Sequence, residues 1–321
     1  MALRVQDSGP ADSNRRHVEP GPRGGTVGPS SGRGPAAGGL KGLLPLVPRF
    51  AVIGDPVVHS ASPRMFRWLG ERLGLALTYE AVRVPQEALA AFLEETRAGR
   101  WDGLSVTLPH KHDALVLADR TDPRATRAGA ANCLVRGADG RLVAHNTDLE
   151  GVIGALARHG LSLRGATVLL LGAGGAARAA AVAVREGGGG RLWIANRNPR
   201  RALTLASAFD GEALPLTAEA LAPVLPAVNL VIQATSVGLD APGDSPLPPD
   251  CVLHERLTVM DMVYRPLRTK LLRDAESAGA RTVDGLWMLV FQGLAQLRLW
   301  TGATASDGLA DALHAHLAEA G

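Results

Sequence analysis

The sequence contains little cysteine, and its apolar stretches are short. Its two cysteines, Cys133 and Cys251, lie far apart in neither metal-ligand nor redox spacing. We therefore expect free thiols in a cytoplasmic, reducing compartment, with no metal site and neither thiol acting as a nucleophile. No apolar run is long enough to cross a membrane, so no membrane partner is expected. With 321 residues and 46% hydrophobic content, the chain can fill two packed domains.

Clustered positive charge is also scarce, despite a pI of about 9.2. Residues 1–48 hold six Lys/Arg and three Asp/Glu, so their net charge is +3. The whole chain also has a net charge of +3, so residues 49–321 have no net charge. A neutral body disfavours nucleic acid as a partner, because counterion release needs clustered cations. Residues 1–48 are rich in Gly, Pro, Ser and Arg, which predicts a disordered extension. A start codon assigned too far upstream would also explain them.

Lysine is the rarest charged residue: 31 arginines accompany Lys41, Lys111 and Lys270. Arginine could fill any site that needs only a positive charge, whereas an ammonium can also release its proton near neutral pH. Lys111 and Thr107 lie at the carboxyl end of a short predicted strand that begins at Gly103 and is ended by Pro109. Ligands of α/β proteins usually bind at such carboxyl ends. Lys111 is therefore a candidate functional residue, with a solvated lysine at a helix start as the alternative.

A glycine-rich turn follows the apolar run at 167–171 and leads into an alanine-rich helix. Gly172 can make the tight turn, Gly174 leaves room for a pyrophosphate, and Ala177 allows close packing of helix on strand. A second strand predicted at Arg191–Ala195 completes a βαβ unit, the context in which such a turn binds phosphate. The pattern predicts a Rossmann-type nucleotide domain, with a plain strand–helix turn as the alternative.

The segment after the second strand indicates which dinucleotide binds. An NAD site places an acidic residue about 20 residues beyond the glycine turn to bind the ribose hydroxyls. The chain has Asn196-Arg-Asn-Pro-Arg-Arg201 there instead. A carboxylate would repel a 2′-phosphate, whereas Arg197 and Arg201 would attract one. The segment therefore predicts NADP.

Two serines stand between the first predicted strand, Arg49–Gly54, and the next helix. Ser62 could cap that helix together with Pro63. Alternatively, Ser60 and Ser62 could hold a substrate carboxylate. The sequence leaves both possibilities open.

Two further polar residues also have two interpretations. Asn132 lies among apolar residues, so its amide must hydrogen-bond either the backbone or a ligand hydroxyl. Asp148 lies near the start of a helix that a capping box of Thr147 and Glu150 is predicted to open. Its carboxylate could stabilise that helix N-terminus or act in catalysis.

Taken together, these segments resemble the shikimate dehydrogenase family over nearly all of residues 50–302. The likeness is carried by ordered, spaced pieces: Gly54-Asp-Pro-Val-Val-His-Ser-Ala-Ser-Pro63, Val106-Thr-Leu-Pro-His-Lys111, Gly129-Ala-Ala-Asn132, Asn146-Thr-Asp-Leu-Glu-Gly151, Gly172 to Ala177, Asn196-Arg197, Ala234-Thr-Ser-Val-Gly238, Asp261-Met-Val-Tyr264, and Asp284-Gly-Leu-Trp-Met-Leu-Val-Phe-Gln292. The expected fold is α/β with two domains. An N-terminal α/β substrate domain would comprise residues 49–149 plus 286–321, with the C-terminal helices packing back onto it. A doubly wound, Rossmann-type NADP domain would span residues 150–285.

The resemblance implies reversible reduction of 3-dehydroshikimate to shikimate with NADPH, in a monomer or homodimer. Lys111 and Asp148 would form the catalytic pair: Lys111 exchanges a proton with the C3 oxygen, and Asp148 supports its ammonium. The implied substrate contacts are Ser60, Ser62, Thr107, Asn132, Tyr264 and Gln292. The implied cofactor contacts are Gly172, Ala173, Gly174, Gly175, Ala176, Asn196, Arg197, Arg201, Met262 and Gly285.

The chain departs from the family pattern at three places. Ser105 stands where the family usually has Asn, Phe66-Arg67 where it has His-Asn, and Trp287 where it has Gly. Trp287 falls between segments expected to line the cleft, so it could alter substrate shape, cofactor fit or activity. The alternatives are a quinate or amino-shikimate dehydrogenase, or an NADP-binding regulator without turnover.

Overall fold

The computed structural model describes residues 47–319. These residues belong to one compact unit. The expected N-terminal extension and Lys41 lie outside the described residues, apart from residues 47 and 48. None of the helices within 47–319 is long and apolar enough to span a bilayer.

The first sheet is mixed and has six strands within the described residues. These are β1 (Arg49–Gly54), β2 (Thr78–Arg83), β3 (Gly103–Val106), β4 (Arg120–Thr121), β5 (Cys133–Arg136) and β6 (Leu142–His145), in the order β2-β1-β3-β5-β6-β4. β1 runs parallel to both β2 and β3, and its residues 50–53 are buried, as the continuous apolar sequence predicts. The helices that accompany this sheet are α1 (Ser62–Leu73), α2 (Leu89–Arg97), α3 (Lys111–Leu117) and α4 (Pro123–Ala128).

The second sheet also has six strands within 47–319, and all of them are parallel. They are β7 (Val168–Leu171), β8 (Leu192–Asn196), β9 (Glu212–Pro215), β10 (Leu230–Gln233), β11 (Thr258–Asp261) and β12 (Arg281–Val283), in the order β12-β11-β10-β7-β8-β9. The order reverses between β7 and β10, which is where doubly wound sheets bind ligands. The predicted Rossmann-type architecture is therefore confirmed.

Seven further helices complete the described part of the chain. They are α5 (Asp148–Arg158), α6 (Gly175–Glu186), α7 (Pro199–Ala208), α8 (Ala218–Leu221), α9 (Lys270–Ser277), α10 (Gly285–Thr301) and α11 (Asp307–Ala318). Phe50 of β1 and Phe66 of α1 share one apolar core with Val290 of α10 and Leu313 of α11. The C-terminal helices thus pack back onto the first sheet, as expected.

Two predicted helix caps are wrong. α1 begins at Ser62 itself, with Ala61 in the cap position, and the Ser60 Oγ accepts a hydrogen bond from the Ser62 N–H at 3.2 Å. α5 begins after Thr147, whose side chain makes no cap. The Thr147 hydroxyl instead lies 3.0 Å from the Asn132 Nδ2, because a tertiary partner has replaced the local one.

Candidate active site

Lys111 and Asp148 form an ion pair where the starts of two helices meet. Lys111 opens α3 just beyond β3, and Asp148 opens α5 just beyond β6. The Lys111 Nζ lies 2.6 Å from the Asp148 Oδ2, and the two side chains are only 19% and 7% exposed. A carboxylate this deeply buried needs a charged or hydrogen-bonding partner. The two residues predicted as a catalytic pair therefore lie in direct contact.

Asn132 fixes the orientation of this pair. Its Nδ2 donates to the Asp148 Oδ1 at 2.7 Å, while its Oδ1 accepts from the Thr147 N–H at 2.6 Å. The Asp148 N–H is bound separately by the Asn146 Oδ1 at 3.1 Å. Both carboxylate oxygens of Asp148 thus have partners, and the carboxylate is held toward Lys111.

The two predicted carboxylate-binding serines lie near Tyr264, a further predicted substrate contact. Ser62 is buried, and Ser60 and Tyr264 are half-buried around a cavity of about 290 Å³. The backbone of Ala61 is close enough to hydrogen-bond the Tyr264 phenol, and burial raises the pKa of that phenol. Tyr264 therefore keeps its proton and can donate a hydrogen bond.

Thr107 lies where the loops that follow β1 and β3 touch. The Asp55 N–H donates to the Leu108 carbonyl at 3.0 Å, and the Thr107 N–H donates to the Ile53 carbonyl at 2.9 Å. A Cβ on Gly54 would lie 2.5 Å from the Thr107 Cγ2, so glycine is required for this approach. The close loops hold Thr107 just before α3, which begins with Lys111.

The glycine turn faces open space beside Lys111. Gly172 has φ +115°, and a Cβ there would lie 2.9 Å from the Ala234 carbonyl oxygen, so this tight turn requires glycine. A Cβ on Gly174 would meet nothing within 4 Å, and one on Gly175 would meet only the Lys111 Cδ, at 3.9 Å. The space above the turn fits a dinucleotide phosphate, because Ala173 and Ala176 add only small side chains and the N–H groups of α6 are oriented toward it.

The other predicted cofactor residues lie at two further strand ends. Asn196 ends β8, and Arg197 and Arg201 are exposed just beyond it. Met262 follows β11, and a Cβ on Gly285 would lie 2.6 Å from the Val263 carbonyl oxygen. These groups share the carboxyl edge of the second sheet with the glycine turn.

Sequence reasoning missed two acidic residues that brace the site. Asp261 is fully buried, and it accepts from the Val263 N–H at 2.9 Å and from the Thr269 hydroxyl at 2.7 Å. Burial raises the pKa of Asp261 to about 6. Asp284 caps α10 through the Leu286 N–H at 2.9 Å. Each is an acid at the start of a loop or helix, and that position was the signal available in the sequence.

Trp287 packs against α5 and α11. Its ring stacks on His314 at 4.1 Å between centroids, and the Arg158 guanidinium lies 5.4 Å from its centroid. Arg158 ends α5, ten residues and about 15 Å from Asp148 along the helix. These two contacts of Trp287 thus lie on α11 and at the C-terminal end of α5.

The comparisons with known proteins agree over most of the chain. Residues 52–134 match the shikimate dehydrogenase substrate binding domain, residues 155–239 match shikimate / quinate 5-dehydrogenase, and residues 285–308 match the shikimate 5′-dehydrogenase C-terminal domain. A shikimate dehydrogenase (NADP(+)) of Thermus thermophilus is 46% identical over 254 residues, which cover 79% of this chain and 92% of that protein.

Solved structures show the same fold. Shikimate 5-dehydrogenase from Thermus thermophilus, in complex with NADP(H) and shikimate, has a TM-score of 0.77 and 41% identity, over 84% of this chain and 100% of that one. The ligand-free 5-ketofructose reductase of a Gluconobacter strain has a TM-score of 0.75 and 30% identity, over 85% of this chain and 98% of that one. Proteins named for different substrates thus share this architecture.

Proposed function

Because the chain belongs to the shikimate dehydrogenase family, we propose that it catalyses the reversible reduction of 3-dehydroshikimate to shikimate with NADPH. The observation that carries the proposal is the 2.6 Å Lys111–Asp148 pair beside the open N-terminus of α6. A group able to transfer a proton thereby adjoins a surface suited to nucleotide phosphates. Dehydrogenation of an alcohol needs both.

The reaction adds a hydride to the carbonyl carbon and a proton to its oxygen. NADPH supplies the hydride when it is bound. Lys111 donates the proton to the oxygen during reduction and takes it back during oxidation. Asp148, oriented by Asn132, holds the Lys111 Nζ in place through a charge-assisted hydrogen bond.

The substrate is held by donors around this pair. Ser60 and Ser62 bind its carboxylate, and Tyr264 contributes a phenol whose pKa is raised by burial. Thr107, Asn132 and Gln292 contact the remainder of the ring. The support for these roles is that Ser62 starts α1, Thr107 follows β3 and Asn132 immediately precedes β5. Gln292 lies within α10, where its Oε1 is 3.4 Å from the Asn132 Nδ2.

The cofactor lies along the carboxyl edge of the second sheet. Gly172 to Ala176 bind its pyrophosphate, and Asn196, Arg197 and Arg201 bind the 2′-phosphate. Met262 and Gly285 contact the nicotinamide end. Exposed arginines without an acidic residue in the segment 196–201 support NADP over NAD.

The two functions divide between two domains, of residues 49–149 plus 286–321 and of residues 150–285. This division is supported by the first sheet falling within 49–145 and the second within 168–283. We propose that the protein acts in the cytoplasm as a monomer or homodimer. The two cysteines are free and buried, which supports a reducing compartment.

A steady-state panel tests this function. Shikimate, quinate and amino-shikimate are each oxidised with NADP and with NAD. We expect the highest kcat/KM for shikimate with NADP. A higher kcat/KM for quinate or amino-shikimate would make that ring acid the substrate in place of shikimate. NADP binding without turnover of any ring acid would indicate a regulator.

A further inference from the structure

A row of buried polar side chains lies behind Asn132 and Gln292. Tyr79 on β2, Ser105 on β3 and Gln296 on α10 are 9%, 6% and 1% exposed. Buried hydroxyl and amide groups need hydrogen-bond partners, and here they find them in one another. None of the three was predicted as a site residue.

The direction of these hydrogen bonds follows from one main-chain group. The Asn132 carbonyl can only accept, and it lies 3.1 Å from the Gln296 Nε2, so the amide nitrogen of Gln296 is on that side. The Gln296 Oε1 then faces Ser105, which donates to it at 2.5 Å. Ser105 in turn accepts from the Tyr79 hydroxyl at 2.6 Å.

Tyr79 remains a donor throughout the working pH range. Burial raises the pKa of its phenol well above the ordinary value, and Ser62 is a further hydrogen-bonding neighbour. Phe66 stacks on the Tyr79 ring at 4.3 Å between centroids, which fixes the direction of the hydroxyl. The row therefore begins at a residue that always carries its proton.

The row ends at Gln292, where it selects one of two amide orientations. The second N–H of Gln296 donates to the Gln292 Oε1 at 2.9 Å, and the Asn132 Nδ2 is a longer donor to the same oxygen, at 3.4 Å. The Gln292 Nε2 is therefore directed the other way, and one of its N–H groups donates to the Leu289 carbonyl at 2.9 Å. An amide has two N–H groups, so one donor remains for a ligand.

We propose that Tyr79, Ser105 and Gln296 are positioning residues that make Gln292 a hydrogen-bond donor to an oxygen of the substrate ring. This inference rests on the proposed function, because it takes Gln292 as a substrate contact. It also gives Ser105, a departure from the family pattern, a defined role: it joins a phenol on β2 to an amide on α10. The ligand class that fits is a ring acid whose hydroxyl accepts from Gln292.

The test breaks the row at successive positions. Gln296→Met removes the shorter of the two hydrogen bonds that the Gln292 Oε1 accepts. We expect the Kd and KM for shikimate to rise about tenfold, as for loss of one hydrogen bond. Ser105→Ala should give a smaller rise of about threefold, and Ser105→Thr, which keeps the hydroxyl, should restore binding. The kcat and the KM for NADP should stay near wild type, since neither Lys111 nor the glycine turn is altered.

A matched control separates orientation from loss of a buried hydrogen bond. Thr96→Val removes a fully buried hydroxyl that donates to the Phe92 carbonyl, and it should leave shikimate binding unchanged. Thermal unfolding of every variant identifies any that fail to fold. If a variant does not fold, Tyr79→Phe takes its place in the comparison, because it removes only the phenol hydroxyl at the start of the row.

Shikimate binding is measured by calorimetry apart from turnover, so two failures can be told apart. If the wild type binds shikimate but does not oxidise it, the proposed reaction is contradicted. The shikimate Kd values of the variants still test the positioning role of Tyr79, Ser105 and Gln296. If the wild type turns over shikimate but Gln296→Met and Ser105→Ala bind it with the wild-type Kd, the positioning role of Tyr79, Ser105 and Gln296 is overturned and the proposed reaction stands. Absence of wild-type binding would overturn both.

Discussion

At the scale of single residues, the structure explains why lysine rather than arginine stands at position 111. The Lys111 Nζ is within hydrogen-bond reach of a nearly buried carboxylate, and the space beside it is open. A guanidinium would satisfy the same charge but could not give up a proton. The scarcity of lysine made Lys111 a candidate in the sequence, the family resemblance implied its role, and the partner atoms depended on the fold.

Replacing Lys111 separates charge from proton transfer. Lys111→Ala should lower kcat by about 10²- to 10⁴-fold, the usual contribution of a general acid, while shikimate and NADP still bind. Lys111→Arg keeps a cation beside Asp148 and should lose turnover to a similar extent. The control is Lys270→Ala, which breaks a half-exposed pair with Asp274 on α9 and should leave kcat unchanged. Near-normal turnover of Lys111→Ala would remove Lys111 from the mechanism.

Arg197 is expected to distinguish the two dinucleotides. Losing a charged hydrogen bond to phosphate should raise the KM for NADP by about 10- to 100-fold in Arg197→Ala, with little change for NAD. Initial rates with each cofactor measure the effect. Arg164→Ala is the control, because Arg164 is an exposed residue before the opposite end of β7. Equal effects on both cofactors would contradict the 2′-phosphate role.

Asp261 should make stability depend on pH. Burial raises its pKa from 3.8 to about 6, so the folded state binds this proton more tightly than the unfolded state. The stability it contributes is full below pH 3.8 and is lost as pH rises through about 6. Between about pH 5 and about pH 7.5, the free energy of unfolding should fall by about 1 kcal/mol more in wild type than in Asp261→Asn. Denaturant titrations at both pH values measure this difference, and parallel curves would contradict it.

At the scale of elements, long apolar patterns predicted the strands and helices better than capping motifs predicted where helices begin. β7, α6 and β8 follow from the glycine turn and its flanking strands. The edge strands β4, β9 and β12 have two to four residues each, and only one of these residues, Val283 of β12, is buried, so pairing with a neighbour defines them. Thr147 failed as a cap because its hydroxyl binds Asn132, a residue distant in sequence. Local propensity could not anticipate these competing partners.

The N-terminus of α10 depends on Asp284. This residue accepts from the Leu286 N–H at 2.9 Å and the Trp287 N–H at 3.3 Å, and it also contacts His314 of α11. Asp284→Ala should lower the free energy of unfolding by about 1–2 kcal/mol, whereas Asp284→Ser should retain most of the cap. Chemical denaturation of the two variants measures the difference. Equal stabilities would show that the cap is not what anchors α10.

At the scale of the whole molecule, the two sheets present their functional ends to one another. Lys111 follows β3 in the first sheet, and Gly175 follows β7 in the second, yet a Cβ on Gly175 would lie 3.9 Å from the Lys111 Cδ. Each turn could be predicted from its own sequence. The close approach of the two turns could not be predicted, because it depends on how α5 packs against α10, and these helices are far apart in the chain. The same packing, rather than any local pattern, directs Trp287 toward His314.

The account is tested most directly in the reductive direction. Purified protein is mixed with 3-dehydroshikimate and NADPH, NADPH oxidation is followed by absorbance, and the product is identified by chromatography. We expect one shikimate formed for each NADPH oxidised, with NADH a much poorer donor and Lys111→Arg inactive. NADPH that binds but is not oxidised, or a product other than shikimate, would contradict the account.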